Sequence, residues 1–240
     1  MGVERSLHLV IPCYNPPVGW ADRLIERTVA LQNELIDLRL RCVVVNDGST
    51  AGLSWSDRER VLQALPGVRW IDHAVNRGKG AALRTGAAEC AEGLCLFTDV
   101  DMPYILPSMV AACNQLASGA NVVLGQRHAT YYERVPWARR VISKTFRWVL
   151  RHVMRFPISD TQCGLKGFDA KGKAEFMSTT IDRFLFDMEF VMRLSRRKDL
   201  RIATIDAQLD QGVRFSRMNY RILAGESVNF LKVLLRGLRH

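Results

Sequence analysis

Short apolar runs alternate with amphipathic segments along the first half of the chain. Continuous apolar stretches predict strands at 7–11, 41–45, 68–73, 94–98 and 121–125. Segments with apolar residues at helical spacing, or rich in alanine, predict helices at 20–35, 56–65, 79–91 and 106–117. The first half is therefore expected to repeat a strand followed by a helix.

This alternation indicates an α/β fold. Strands that are apolar on both faces belong to a mostly parallel sheet covered by helices on both sides, because each face must be buried. The 240 residues are enough for one such domain, and no repeat or linker divides them. Ligands bind such sheets beyond the carboxyl ends of the strands. The sequence has four polar loops at those ends, PCYNPP, NDGST, VNRGKG and TDVDMPY.

The loop TDVDMPY holds two aspartates one residue apart, Asp99 and Asp101. At the end of an extended strand, residues i and i+2 point to the same side, so both carboxylates can face one point. Mg²⁺ and Mn²⁺ take oxygen ligands, and Mg²⁺ commonly joins one or two carboxylates to a substrate phosphate. We therefore predict a divalent metal site here. The alternative is a plain turn, since Asp and Pro are turn formers.

Two further loops carry residues suited to a nucleotide. Asp47 follows a buried strand and could accept hydrogen bonds from a ribose or a base edge, with an Asx turn or a helix N-cap as the alternative. The loop NRGKG opens a predicted helix, so its glycines predict backbone N–H groups near a phosphate. Arg77 and Lys79 add positive charge there. The alternative is an ordinary basic turn, because the Walker A spacing is absent.

The net charge of +10 is concentrated in the second half. Residues 1–129 carry 12 Lys and Arg against 13 Asp and Glu, and residues 130–240 carry 22 against 11. The expected partner of the second half is an acidic surface, such as membrane phosphate, nucleic acid or a phosphorylated ligand.

A predicted helix at about 137–155 carries much of this charge. Its basic residues recur on one helical face and are Arg140, Lys144, Arg147, Arg151 and Arg155. Apolar residues fill another face, and the last 23 residues repeat the pattern. Basic amphipathic helices of this kind lie in the membrane interface, so these five residues are predicted to face an anionic membrane. The alternative is a solvated face of an ordinary helix.

The cysteines and the hydropathy narrow the expected location. Six cysteines are scattered without a CxxC pair, which predicts buried thiols in a reducing cytoplasm and neither disulfides nor a zinc site. No apolar run approaches the roughly 18 to 20 residues that a membrane span needs, and no signal peptide is visible. The expected location is cytoplasmic, with peripheral attachment to the inner face of the membrane.

Several motifs together resemble one family. IPCYN, VVNDGS, NRGKGAALRTG and TDVDMPY occur in the order and spacing typical of the GT-A catalytic domain of family 2 glycosyltransferases. GQR at 125–127 resembles the family's GSR. DTQCGLKGF at 160–168 and RFLFDMEF at 183–190 resemble its polyprenyl-phosphate branch, the dolichyl-phosphate glucose and mannose synthases.

The resemblance covers roughly residues 7 to 217. It implies a catalytic domain over 1–217, which includes the basic helix, and a C-terminal basic amphipathic helix over 218–240. Pro16 stands where the family often has an acidic residue, and Gln126 makes GSR into GQR; these departures bear on the identity of the donor.

The resemblance implies an inverting transfer of a sugar to a polyprenyl phosphate. The donor would be a nucleotide-sugar of the UDP-glucose or GDP-mannose type, with Mg²⁺ or Mn²⁺ as cofactor. The implied nucleotide contacts are Pro12, Tyr14, Asn15, Asp47, Lys79 and Asp99. The implied metal ligands are Asp99 and Asp101. The implied catalytic positions are Arg127, Asp160, Gln162 and Asp187. Contacts to the acceptor or diphosphate are implied for Arg127, Arg214 and Arg217.

The chemistry of the acceptor favours a phosphate. A phosphate monoester has a second pKa of about 6, so it is mostly dianionic near pH 7 and needs little proton removal. A hydroxyl acceptor needs a general base. Many arginines and one candidate carboxylate, Asp187, fit the phosphate better, and a hydroxyl acceptor stays open.

Three rival interpretations remain. A sugar-1-phosphate nucleotidylyltransferase would need a Gly-rich loop after the first strand, which PCYNPP does not provide. A nucleic-acid-binding module would suit the basic half, but no helix-turn-helix, zinc finger or RNP-like motif is evident, so no nucleic acid is expected. Asp99 and Asp101 argue against a membrane-docking relative without catalysis.

Overall fold

The computed structural model describes residues 5–90, 93–127, 163–183 and 185–210. The predicted basic helices at about 137–155 and 218–240 lie outside these residues, as do the five predicted membrane-facing side chains. The predicted division at residue 217 also lies outside them and stays a prediction.

Seven strands form one sheet within the described residues, in the order β3-β2-β1-β4-β6-β5-β7. Their bounds are β1 Arg5–Cys13, β2 Leu38–Asn46, β3 Arg69–Asp72, β4 Leu94–Phe97, β5 Val122–Gln126, β6 Lys166–Phe168 and β7 Ile202–Asp206. Each of the five predicted strands overlaps one of the first five, so the α/β prediction is confirmed. The sheet is mostly parallel, as predicted, but β6 runs antiparallel to β4 and β5.

Six helices cover the two faces of the sheet in the described part of the chain. Their bounds are α1 Trp20–Glu34, α2 Trp55–Ala64, α3 Lys79–Glu89, α4 Leu106–Ala117, α5 Ala170–Met177 and α6 Phe186–Leu194. The apolar residues of α1 and α4 pack on one face, and those of α3, α5 and α6 pack on the other. Burial on both faces explains why the central strands read as continuous apolar runs.

A group of five phenylalanines fills the core beneath the end of β4. Two pairs of rings lie 5.2 Å apart, one stacked and one edge to face. The group consists of Phe97, Phe168, Phe176, Phe186 and Phe190. Such aromatic pairs add to the area they bury. Phe97 ends β4 and Phe186 begins α6, so this packing brings the residues that follow them to one edge of the sheet.

The antiparallel direction of β6 matters for this edge. The parallel strands β1, β2 and β4 end there, whereas β6 begins there, since Phe97 at the end of β4 pairs with Lys166 at the start of β6. We call this edge the rim. The segment just before β6 therefore joins the loops that follow the parallel strands.

All six cysteines are buried free thiols, as predicted. None of the helices within the described ranges combines the length and the apolar character needed to cross a membrane.

Candidate active site

Asp99 and Asp101 lie at the rim, directly beyond β4. The chain turns sharply at this pair: the N–H of Met102 donates to the Asp99 carbonyl at 2.9 Å, and Met102 has a φ of 44°. Burial, reinforced by the charge of Asp99, raises the pKa of Asp101. The ionised form of Asp101 is therefore disfavoured in this place.

Lys79 is the cation that faces this pair. Its Nζ forms an ion pair with Oδ1 of Asp99. Burial acts to lower the pKa of Lys79, but the carboxylates of Asp99, Asp187 and Asp101 outweigh it, and the pKa is raised. Lys79 is thus a permanent ammonium group surrounded by three carboxylates from two other segments of the chain.

The two aspartates fit a divalent metal by the chemistry of their donor atoms. They supply the hard oxygens that Mg²⁺ and Mn²⁺ prefer. A bound cation would also relieve the repulsion from Asp99, which adds to the effect of burial on the pKa of Asp101. The described residues contain no group of three His, Cys, Asp or Glu side chains able to hold a metal. One or two carboxylates are nevertheless the usual protein share of a Mg²⁺ site that also binds substrate phosphates.

The loop NRGKG does not offer its backbone N–H groups as predicted. The N–H groups of Gly80 and Ala81 donate to the carbonyl of Asp182 at 2.7 and 3.2 Å, and those of Arg77 and Gly78 donate to the carboxylate of Asp47. These donors are used within the chain, so the prediction that they cradle a phosphate is wrong. The contribution of the loop to the rim is the side chain of Lys79.

Asp47 is the buried anchor of that loop. Its side chain is 3% exposed, and its carboxylate accepts four hydrogen bonds of 2.7 to 3.0 Å. The donors are Nδ1 of His73, Nδ2 of Asn76 and the backbone N–H groups of Arg77 and Gly78. The other ring nitrogen of His73 lies 3.0 Å from Oγ1 of Thr85. A direct contact between Asp47 and a nucleotide stays a prediction.

The first loop sits beside the second at the rim. Pro12 lies in β1, and Tyr14 beyond it is 48% exposed. Asn15 has a φ of 44°, and its Oδ1 accepts from the N–H groups of Thr50 and Ala51 at 2.8 and 3.0 Å. Asn15 therefore ties the two loops together and leaves Tyr14 open to a ligand. The nucleotide contacts implied for these residues stay predictions.

Asp187 reaches the same region from the first turn of α6. It is 5% exposed, and its Oδ1 lies 2.7 Å from Nζ of Lys166. Burial raises the pKa of Asp187, and the ammonium groups of Lys166 and Lys79 oppose that rise without cancelling it. The structure thus brings together Asp187, Lys79 and Asp99, which lie far apart in the sequence.

Two further residues near Asp99 and Asp187 were not predicted from the sequence. Lys166 is wholly buried at the start of β6, and Tyr104 is 3% exposed, with a hydroxyl that accepts from the N–H of Gly164 at 2.8 Å. A Cβ on Gly164 would lie 2.7 Å from Oδ2 of Asp99, so this turn packs directly against the aspartate. A lysine enclosed by apolar residues in CGLKGF was the one sequence signal for Lys166.

The segment between α5 and α6 contacts the start of α3. Glu189 accepts from the N–H groups of Thr180 and Ile181, both at 2.8 Å. The next residue, Asp182, caps α3 through its carbonyl and pairs with Arg84 through its carboxylate. Glu189 therefore helps to hold the helix that carries Lys79.

The remaining predicted residues divide into one that is described and four that are not. Arg127 follows β5, and its charge opposes the rise that burial causes in the pKa of Tyr104. Arg127 thus lies near Tyr104, whose hydroxyl accepts from the N–H of Gly164. Asp160, Gln162, Arg214 and Arg217 lie outside the described residues.

Comparison with protein families gives one match over most of the chain. Residues 8–173 match the model described as Glycosyl transferase family 2. Among curated proteins, a dolichyl-phosphate beta-glucosyltransferase of Drosophila melanogaster is 27% identical over 209 residues, covering 78% of this chain and 61% of that protein. A protein of the same description from Trichomonas vaginalis is 23% identical over 246 residues, covering 95% of this chain and 73% of that protein.

Comparison with solved structures supports the fold. Glucosyl-3-phosphoglycerate synthase of Mycobacterium tuberculosis, crystallised with Mn²⁺, UDP and glucosyl-3-phosphoglycerate, superposes with a TM-score of 0.67 at 19% identity. The match covers 97% of this chain and 80% of that protein. At this identity the likeness shows a shared GT-A fold, as predicted from the motifs.

Proposed function

Because the chain belongs to glycosyl transferase family 2 and has the GT-A fold, we propose that it transfers a hexose, with inversion, from a nucleotide-sugar to a polyprenyl phosphate. The observation that carries the proposal is the grouping of Asp99, Asp101 and Lys79 with Asp187 at one rim. A metal-and-phosphate side and an acceptor side are thereby adjacent.

The metal-and-phosphate side suits the departure of a nucleoside diphosphate. Asp99 and Asp101 would hold Mg²⁺ or Mn²⁺, which supplies Lewis-acid stabilisation of the leaving group when bound. Lys79 lies against Asp99 and keeps its positive charge, so it is placed to stabilise negative charge that develops on the diphosphate. Arg127 is a second candidate for this role.

The acceptor side suits a nucleophile that already carries its charge. A polyprenyl phosphate is mostly dianionic near neutral pH, because its second pKa is about 6. It needs positioning more than deprotonation. Asp187 is buried and ion-paired with Lys166, so it suits the placing of neighbouring groups better than free exchange of protons with solvent.

Replacement of Asp187 by Asn is expected to lower turnover about tenfold and to leave transfer measurable. Asn keeps an acceptor for the Lys166 ammonium, and removal of a general base would instead cost about 10²–10⁴-fold. The test is steady-state transfer with donor binding measured in parallel. Complete loss of transfer in a folded variant that still binds donor would mean an essential base, and therefore a hydroxyl acceptor.

The donor is proposed to be a glucose nucleotide of the UDP type, with GDP-mannose as the alternative. The names of the curated relatives support glucose. A transfer assay tests this: a short polyprenyl phosphate is incubated with UDP-glucose or GDP-mannose, with and without Mg²⁺ or Mn²⁺. Metal-dependent formation of a lipid-phosphate sugar with one donor is the expected result. Donor binding without transfer to lipid phosphate would contradict the proposed acceptor.

Peripheral attachment to the inner face of the membrane completes the proposal. We expect the protein to sediment with anionic vesicles at low salt, because each Lys or Arg near such a surface contributes about 1 kcal/mol. Binding should fall as salt rises and screens the charges. Arg147→Glu with Arg151→Glu should weaken sedimentation, whereas Arg39→Glu with Arg41→Glu, on exposed positions of β2, serves as the charge-matched control. Absence of binding at every ionic strength would contradict attachment.

A further inference from the structure

Lys166 is a charged side chain in a fully enclosed place. It is 0% exposed, and its Nζ lies 5.9 Å from the ring centroid of Phe97. An ammonium group is costly to bury unless it is paired and hydrogen-bonded. Its Nζ meets that condition by pairing with Oδ1 of Asp187 at 2.7 Å and donating to the carbonyl of Cys163.

Stability alone does not account for this pair. A buried ion pair can often be replaced by apolar side chains of similar volume with little loss, or with a gain, of stability. Lys166 lies beside the ring of Phe97, which belongs to the phenylalanine core, so an apolar side chain at this position would also have an apolar neighbour. The burial of the Lys166 ammonium group therefore needs an explanation other than stability. Its two hydrogen-bond acceptors, Asp187 and the carbonyl of Cys163, suggest one.

The two acceptors belong to different segments of the chain. Cys163 precedes Gly164, whose backbone packs against Asp99 and donates to Tyr104. Asp187 is on α6, on the acceptor side. A single Nζ thus connects the turn beside the predicted metal ligand to the carboxylate of Asp187 on α6.

We infer that Lys166 is a positioning residue for sugar transfer, which holds Asp187 and the turn at 163–165 at a fixed separation. This inference rests on the proposed function, because it assigns Asp187 to the acceptor side. The charged groups that face Asp187 are Lys166 from β6, Lys79 from α3 and Asp99 from the loop after β4. Of these, Lys166 is the one hydrogen-bonded to Asp187 in the described structure.

The test compares Lys166→Met, Asp187→Asn, the double variant and wild type. Misplacement of a site group by about 1 Å can cost about 10²-fold in rate, so we expect Lys166→Met to lower kcat at least about tenfold. The KM for the nucleotide-sugar should change less than about threefold, because the hydrogen bonds of Lys166 go to Asp187 and Cys163 rather than to the implied nucleotide contacts. If the two residues act as one unit, the double variant should turn over no more slowly than Asp187→Asn alone.

Turnover is expressed per nucleotide-binding site, counted by titration with UDP or GDP, so that unfolded protein does not lower it. Lys173→Met is the matched control. The Nζ of Lys173 also donates to a backbone carbonyl, that of Cys90, which lies on the same side of the sheet as α3. Wild-type turnover per site in Lys166→Met, or effects that multiply in the double variant, would overturn the inference. If Lys166→Met does not fold, the double variant, which buries no unpaired charge, still gives the comparison with Asp187→Asn.

If the acceptor is not a polyprenyl phosphate, the assay gives a different result. In that case wild type binds the donor and transfers nothing to polyprenyl phosphate. The same variants are then compared for metal-dependent hydrolysis of the nucleotide-sugar, which needs no acceptor. A tenfold loss in Lys166→Met without a change in donor KM supports the positioning role there too, and unchanged hydrolysis contradicts it.

Discussion

Replacing Asp101 by Asn is expected to lower kcat/KM for transfer at least about a hundredfold while leaving the fold as stable as before. The loss follows because a carboxylate aimed at a developing or bound charge contributes several kcal/mol to catalysis. The stability should not fall, because burial and the charge of Asp99 already disfavour the ionised form of Asp101. A neutral Asn of the same shape removes that repulsion.

Thermal unfolding with and without ligands separates the two effects. Wild type should gain about 2.7 kcal/mol from Mn²⁺ and nucleotide at about a hundred times Kd, whereas Asp101→Asn should gain much less. Asp22→Asn is the control, since Asp22 is an exposed acid that pairs with Arg60 rather than with a residue of the site. Full activity, or full stabilisation by Mn²⁺ with nucleotide, in Asp101→Asn would contradict the metal site. A lower melting temperature without ligand would show that Asp101 is structural.

Replacing Asp47 by Ala is expected to be the most destabilising single change at the site, costing about 3 to 5 kcal/mol of unfolding free energy. The substitution leaves four donors without their acceptor, two of them buried and two partly buried. Each buried donor left unsatisfied costs about 1–3 kcal/mol. Asp47→Asn should lie between wild type and Ala, because its amide keeps one oxygen but turns an N–H₂ group toward other donors.

Denaturant unfolding measures this loss, with Asp22→Ala as the exposed control. Surface ion pairs such as the one between Asp22 and Arg60 contribute little to stability, so that control should stay close to wild type. The sequence alone predicted that Asp47 contacts the nucleotide. A variant with wild-type stability that no longer binds UDP-glucose or GDP-mannose would favour that role and contradict the anchoring role.

The predictions from sequence succeeded where one local signal dominated. The first five strands and first four helices were found because apolar runs and helical spacing reflect burial against the sheet. The later elements were missed. β6 has three residues, KGF, and begins with a lysine, so no apolar run marks it. Helix α6 is buried almost all round, and Asp187 and Glu189 are buried in its first turn, so it lacks the polar face expected of a surface helix.

In the candidate site, too, the features set by local sequence were predicted and those set by distant contacts were not. The position of Asp99 and Asp101 after a buried strand was legible, because strand ends and turn residues are local properties. The sequence could not show which groups accept from the backbone N–H groups of NRGKG. Their acceptors, the carboxylate of Asp47 and the carbonyl of Asp182, come from distant parts of the chain. A sequence motif states which donors exist, and only packing decides whether the chain or a ligand receives them.

The sequence by itself determined the class of the protein: an α/β sheet, acidic and basic loops at its strand ends, and the motifs of a family 2 glycosyltransferase. The tertiary structure decided which of those residues meet. The ion pair of Lys166 with Asp187 joins a strand to a helix 21 positions away, and it depends on the antiparallel direction of β6. The physical reason is that burial patterns depend on neighbours along the chain, whereas the pairing of buried charges depends on contacts that form only when the sheet and its helices have assembled.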